Sequence, residues 1–277
     1  MVFIIQKKID LLIYYKHYSI LNMMTGIHIQ KKGKFLDSLK RFFNQRENKN
    51  IPVQIFTGSP KFWQRNISPD DLIKTKNYVI ENNLTVFIHS IYLINLCKPS
   101  IEFNGKAKQN LIWELQTGAQ LGFKGVVVHC GKSLKMDKEK ALFNMYNNMC
   151  SVVEHINPAC PLLLETSSGQ GSETLYNYDN FKSFYNRFGD GIKERIKICI
   201  DTCHVFAAGH DPLKFIMDWN KDCPNSIALV HFNDSKEKCG EKKDRHEYPG
   251  EGYIGIIKLD LVNQLCKKLN IPMVMEI

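Results

Sequence analysis

The stretch KICIDTCH carries an acid, Asp201, and an imidazole, His204, at the end of an apolar run. The run over residues 196–202 predicts a buried strand, and because strand side chains alternate between two faces, the strand sets the direction of Asp201. A turn after the strand is expected to bring His204 to the same side. Carboxylates and imidazoles are both good zinc ligands. An isolated pair at this spacing also fits an ordinary core histidine, so other residues must decide.

Strand-like and helix-like segments alternate along the rest of the chain. The predicted strands are residues 24–30, 51–57, 85–90, 125–130, 161–166, 196–202, 227–234 and 272–277. The predicted helices are residues 36–45, 106–121, 138–155, 179–187, 213–219 and 258–268, with one more beginning at Ser68-Pro69-Asp70-Asp71. Continuous apolar strands are typical of parallel sheets covered by helices. Eight such units predict an α/β protein with a (β/α)8 TIM barrel over residues 23–277.

Polar residues that could bind a metal stand at the carboxyl ends of the predicted strands. There are seven of them: His28, His89, His129, Glu165, Asp201, His231 and Glu276. The loop after the seventh strand adds a second acid–imidazole pair, Asp244 and His246. The active site of this fold is built at that end of the barrel, so these side chains are predicted to meet at one mouth. A hydrogen-bonding role would explain any single one of these residues. It explains poorly why seven different strands each end in such a residue.

The four acids of this set, Glu165, Asp201, Asp244 and Glu276, would repel one another, and some would stay protonated. Divalent cations remove that repulsion, and a ligand set of imidazoles and carboxylates without cysteine suits zinc or manganese. Such ions lower the pKa of bound water from about 15.7 to about 7 and stabilise both oxygens of a phosphodiester displacement. The residues therefore predict metal-assisted phosphodiester hydrolysis.

Composition indicates the partner and the compartment. The net charge of +9 and the isoelectric point of about 9.0 favour a polyanion, with nucleic acid first, although a lysine-rich composition also occurs without such a partner. The nine cysteines form no CxxC pair, which predicts a reduced, intracellular protein of the nucleus, the cytoplasm or a virion. Neither a membrane-spanning run nor a signal peptide is recognisable, so we expect no membrane partner. We expect a monomer.

Five segments resemble the endonuclease IV family, the metal-dependent apurinic/apyrimidinic (AP) endonucleases of base-excision repair. They are HSIYLINL (89–96), LETSSGQG (164–171), CIDTCHVFAAGHD (199–211), HFND (231–234) and DRHEYPGEGYIG (244–255). The resemblance extends from residue 26 to residue 276, and the combination of CIDTCH with DRH and GEG is highly specific. It implies a hydrolase that cuts duplex DNA 5′ to an abasic site and leaves a 3′-hydroxyl, with 3′-end trimming as a second activity.

The resemblance also implies a trinuclear zinc site, in which manganese could replace zinc. The catalytic residue Glu165 would bridge two metals. The first metal would be completed by His89 and His129, the second by Asp201, His231 and Glu276, and the third would be held by His204, Asp244 and His246. His28 matches a motif position of the family that is not a metal ligand, so we expect it to line the mouth.

Damaged double-stranded DNA is the partner that the resemblance implies. The family inserts side chains into the minor groove at the lesion, where unstacking costs least. Tyr92 and Leu93 match two of those residues. Lys61 is the third expected DNA contact, at a position where the family often has arginine. A rim aromatic that only covers the barrel remains an alternative for Tyr92.

The two ends of the chain depart from the family pattern. The sequence stops one residue after Glu276, where the family usually continues into a final helix. Apolar residues at helical spacing predict instead an extra helix over residues 1–22. In a closed barrel that helix would precede the first strand and could cover the first and eighth strands, in the gap left by the missing one. A targeting segment or a tail is the alternative.

Two other functions remain compatible with a metal-bearing barrel. A sugar isomerase or epimerase would need fewer metals and no loop that enters DNA, and the DRH triplet and the basic charge argue against it. A non-catalytic protein that binds damaged DNA would need no complete ligand set. Cleavage of an abasic duplex, compared with turnover of a ketose, separates these functions.

Overall fold

A closed barrel of eight parallel strands forms the centre of the molecule. The computed structural model describes residues 25–63 and 66–277. The barrel strands are β1 (Gly26–Ile29), β2 (Val53–Phe56), β3 (Val86–His89), β4 (Val126–His129), β5 (Leu162–Glu165), β6 (Ile196–Asp201), β7 (Ile227–His231) and β10 (Met273–Met275). Each pairs with its neighbours in chain order, and β10 closes the barrel by pairing with both β7 and β1. The predicted (β/α)8 barrel is confirmed.

Helices occupy the connections between the strands. They are α1 (Phe35–Phe43), α2 (Pro69–Glu81), α3 (Ser100–Phe103), α4 (Lys106–Leu121), α5 (Lys138–Val153), α6 (Tyr178–Tyr185), α7 (Asp190–Lys193), α8 (Thr202–Ala207), α9 (Pro212–Asp222) and α10 (Ile256–Lys268). The predicted start of α2 is correct, because the Ser68 hydroxyl accepts the backbone N–H of Asp71 at 3.2 Å. No helix of the described residues has the length and apolar character needed to cross a membrane.

The barrel interior holds an apolar ring directly beneath the predicted metal ligands. The ring consists of Phe87, Val127, Leu163, Cys199, Leu229 and Val274, all buried. Strand side chains point to the same face every second residue. The next inward position is therefore two residues further along in each strand, and it carries His89, His129, Glu165, Asp201, His231 and Glu276. Parallel strands thus place six polar residues in one layer at the carboxyl end of the barrel.

Two local predictions are wrong around this layer. The turn expected after Asp201 is helix α8, because the Asp201 carboxylate accepts the backbone N–H of His204 at 2.9 Å and caps the helix. The seventh strand ends at His231, earlier than residue 234. A separate antiparallel pair follows, in which β8 (Asp234–Ser235) binds β9 (His246–Glu247) and brings the loop that precedes β9 over the mouth. The helix predicted over residues 1–22 lies outside the described residues.

Candidate metal centre

Glu165 lies fully buried at the centre of the mouth, with its two carboxylate oxygens facing different groups of side chains. Oε2 lies 3.4 Å from Nε2 of His89 and 3.6 Å from Nε2 of His129. Oε1 lies 3.0 Å from Nδ1 of His231, on the other side. One carboxylate therefore borders two separate clusters of ligand atoms.

The second cluster joins Glu165 to the ends of β6, β7 and β10. Nδ1 of His231 lies 3.0 Å from Oε2 of Glu276 and 3.8 Å from Oδ2 of Asp201. The ligand atoms of all four residues fall within 4.8 Å of one another. Asn233 supports the cluster, because its side-chain amide donates to Asp201 at 2.7 Å and its oxygen accepts the backbone N–H of Glu276 at 2.9 Å.

The third cluster combines the start of α8 with the loop that ends in β9. Asp244 lies between two imidazoles, 3.2 Å from Nε2 of His204 and 3.1 Å from Nε2 of His246. Cys203 lies close to the same group. Its thiol donates to the Arg245 carbonyl at 3.6 Å, and burial raises the pKa of this thiol to about 12.

Hydrogen bonds to backbone carbonyls set the tautomers of three of these histidines. Nδ1 of His89 faces the Ser90 carbonyl at 2.7 Å, and Nδ1 of His204 faces the Thr166 carbonyl at 2.8 Å. Nδ1 of His246 faces the backbone carbonyl of Glu276 at 3.0 Å. Because a carbonyl only accepts, each Nδ1 carries a proton, and Nε2 is the ring nitrogen that faces the mouth and could bind a metal there.

Several of the atoms that face the mouth have no hydrogen-bond partner within the described part of the chain. They are Nε2 of His129, His204 and His246, and Oε2 of Glu165, all buried. Buried polar atoms without partners are costly in a folded protein. Imidazole nitrogens and carboxylate oxygens that converge in this way are the donor set of zinc and manganese. The residues present therefore fit bound divalent metal ions.

The pKa values show how strongly the acids and imidazoles interact. Burial would raise the pKa of Glu165, but the imidazoles of His129 and His231 hold it well below its usual range. Burial would lower the pKa of His246, but the carboxylates of Asp201 and Asp244 outweigh it and raise the value to about 9. Strongly shifted pKa values of both signs at one mouth are typical of functional sites.

The sequence prediction assigned no role to Gln54 or Asn233, although both contact residues of the site. Gln54 is fully buried on β2 and contacts His28, His231 and Glu276. His28, expected only to line the mouth, is thereby part of the layer that supports Glu276, with Nδ1 3.3 Å from its Oε1. The signal for Gln54 was present, because a glutamine inside an apolar strand must find hydrogen-bond partners. Asn233 lies in the HFND segment (231–234), but its type and position did not indicate its contacts with Asp201 and Glu276.

An exposed rim lies beside the mouth. The Tyr92 ring lies 5.6 Å from the His89 ring and 5.7 Å from the His129 ring, yet 56% of the residue is exposed. Leu93 is 42% exposed. The Tyr92 N–H donates to the Pro60 carbonyl at 3.1 Å, which ties this loop to the one that carries the exposed Lys61. The three predicted DNA-contacting residues thus share one rim.

Comparison with known proteins identifies the family. The profile described as "Xylose isomerase-like TIM barrel" matches residues 53–276. A protein of Acanthamoeba polyphaga mimivirus described as an endonuclease 4 is 31% identical over 263 residues, which are 88% of this chain and 84% of that protein. The "Probable endonuclease 4" of Protochlamydia amoebophila (strain UWE25) is 30% identical over 270 residues, or 92% of each chain. The chain belongs to the endonuclease IV family.

The solved structure of an endonuclease IV has the same fold. The enzyme from Thermus thermophilus superposes with a TM-score of 0.77 and 24% identity, and the match covers 92% of both chains. At 24% identity the superposition supports a shared barrel fold only. The family resemblance predicted from the sequence motifs is confirmed.

Proposed function

We propose that this endonuclease IV relative hydrolyses the phosphodiester 5′ to abasic sites in duplex DNA and leaves a 3′-hydroxyl, with 3′-end trimming at the same site. The proposal rests on the position of Glu165, whose two carboxylate oxygens face two separate clusters of candidate metal ligands, with a third cluster beside them. Zinc is the expected metal in all three clusters, with manganese as an alternative. The bound metals would supply positive charge for the phosphate and lower the pKa of an attacking water.

The side chains of the chain itself have separable tasks in this proposal. Glu165 joins the first and second clusters, because one of its carboxylate oxygens faces each of them. The third cluster consists of His204, Asp244 and His246. Positive charge bound there would stabilise the negative charge on the leaving oxygen. Tyr92 and Leu93 would enter the duplex at the lesion, since they are exposed apolar residues on the rim beside the first cluster. Lys61, on the neighbouring loop, would contact phosphate.

The test is cleavage of a duplex that carries one stable abasic-site analogue. We expect a single incision 5′ to the analogue, a product that a polymerase extends directly, and loss of activity under chelator that returns with zinc or manganese. A duplex with a blocked 3′ end tests trimming separately. An undamaged duplex of the same sequence is the control. Equal cutting of both duplexes, or full activity in protein shown to be metal-free, would refute the proposal.

A sugar isomerase or epimerase is the competing function, and the family profile is too broad to separate the two. The third cluster argues against it, because proton transfer on a sugar needs no third group of ligands. Turnover of ketoses with no abasic incision would favour that alternative. Binding of the abasic duplex without incision by metal-loaded protein would favour a binding role instead.

A further inference from the structure

Gln54 is the one buried carboxamide on the inner face of β2, and it contacts three residues of the site. Its Oε1 lies 2.9 Å from Nε2 of His231. Its Nε2 contacts Oε1 of Glu276 and lies 3.0 Å from Nδ1 of His28. The residue has no exposed surface. Every polar atom of this side chain is therefore committed to a neighbour at the mouth.

The carboxylate of Glu276 decides the orientation of this amide. A carboxylate accepts hydrogen bonds, and the Gln54 amide nitrogen contacts its Oε1. The NH2 group of Gln54 must then face Glu276, and its oxygen must face His231. Because an amide oxygen only accepts, Nε2 of His231 carries a proton, and Nδ1 is the ring nitrogen that faces Glu165 and Glu276.

His231 differs in this respect from the other oriented histidines of the described chain. His89, His204 and His246 donate to backbone carbonyls, which no substitution removes. His231 donates to a side chain instead. The Cys199 thiol lies beside His231, but thiol sulfur is only a weak hydrogen-bond acceptor. The orientation of this one imidazole therefore depends on the residue at position 54.

We propose that Gln54 is the positioning residue of the second cluster. It turns His231 so that Nδ1 is the ligand atom, and it occupies Oε1 of Glu276 so that only Oε2 faces the metal. The inference rests on the proposed metal-dependent function, since it assigns a role within the same centre. Partners of this kind change metal affinity by about 10–100-fold when they are removed.

The test compares Gln54→Leu with the wild-type protein and with Gln264→Leu. Leucine keeps the approximate volume but removes the acceptor and both donors. Gln264 carries the same side chain on the exposed face of α10, where it donates to Asp260 at 2.8 Å. Zinc affinity at each site is measured by chelator competition on the zinc-loaded proteins. The protonated ring nitrogen of His231 is read from ¹⁵N-histidine NMR spectra, assigned with a His231→Gln variant.

We expect Gln54→Leu to bind one of three zinc ions about 10–100-fold more weakly, to keep the other two, and to lose the Nε2–H form of His231. Gln264→Leu should match the wild type. Unchanged affinity and tautomer in Gln54→Leu would overturn the inference, and so would equal weakening at all three sites. Gln54→Met gives a second, unbranched test if the leucine variant does not fold. Failure of the wild type to bind zinc would instead refute the proposed function.

Discussion

Metal binding at the third cluster should release protons, because its imidazoles are protonated in the metal-free protein. Asp201 and Asp244 overcome the effect of burial and raise the pKa of His246 to about 9. Against the same effect of burial, these two carboxylates raise the pKa of His204 well above its ordinary value. A metal binds only neutral imidazole, so at pH 7 each histidine must lose a proton first. Loading this cluster should therefore release about two protons.

The magnitude follows from the distance between the pKa and the working pH. At 1.36 kcal/mol per unit, displacing the His246 proton at pH 7 costs about 3 kcal/mol, or roughly a hundredfold in affinity. The affinity should rise about tenfold per pH unit for this histidine alone as the pH increases toward 9, and more steeply when His204 is included. Imidazoles with the ordinary pKa of about 6.5 would together release only about half a proton at pH 7.

The assay is calorimetric titration of chelated protein with zinc at pH 7, in two buffers that differ in ionisation enthalpy. The difference in apparent heat between the buffers counts the protons released. The binding event of the third cluster is identified by its disappearance in Asp244→Asn, which leaves the other two clusters intact. Release of less than about one proton in that event would refute the reasoning, since it would mean that the imidazoles are already neutral.

Three further results are expected. Glu165→Gln should reduce abasic-site cleavage by at least ~100-fold and leave DNA binding detectable, because it removes the charge shared by two clusters; cleavage at the wild-type rate would contradict this role. Leu93→Ala should weaken binding to abasic duplex roughly tenfold in a fluorescence titration, as about 1.5 kcal/mol of burial is lost, whereas Leu261→Ala, at a site 44% exposed on α10, should not. Deleting residues 1–22 should lower the melting temperature by roughly 10 °C if the segment covers the β1–β10 seam; unchanged melting and zinc content would identify a tail.

The alternation of strands and helices was enough to predict the barrel, and the motifs indicated the nine candidate ligands through the family that they resemble. Side chains along a strand return to the same face every second residue. An acid or imidazole at the end of an apolar run must therefore share a face with the apolar residue two positions earlier. Glu165 follows Leu163 in this way, and His231 follows Leu229. Local pattern and the symmetry of the barrel together determine that such residues meet at one mouth.

The tertiary structure alone decided which atom of each residue faces the mouth. His231 offers Nδ1 where His89 offers Nε2, because the first is oriented by Gln54 from another strand and the second by an adjacent carbonyl. The helix after Asp201 was missed for a related reason, since its cap depends on how a site carboxylate is turned. Sequence determines where a side chain begins, but contacts between residues far apart in the chain determine the direction in which its lone pairs point.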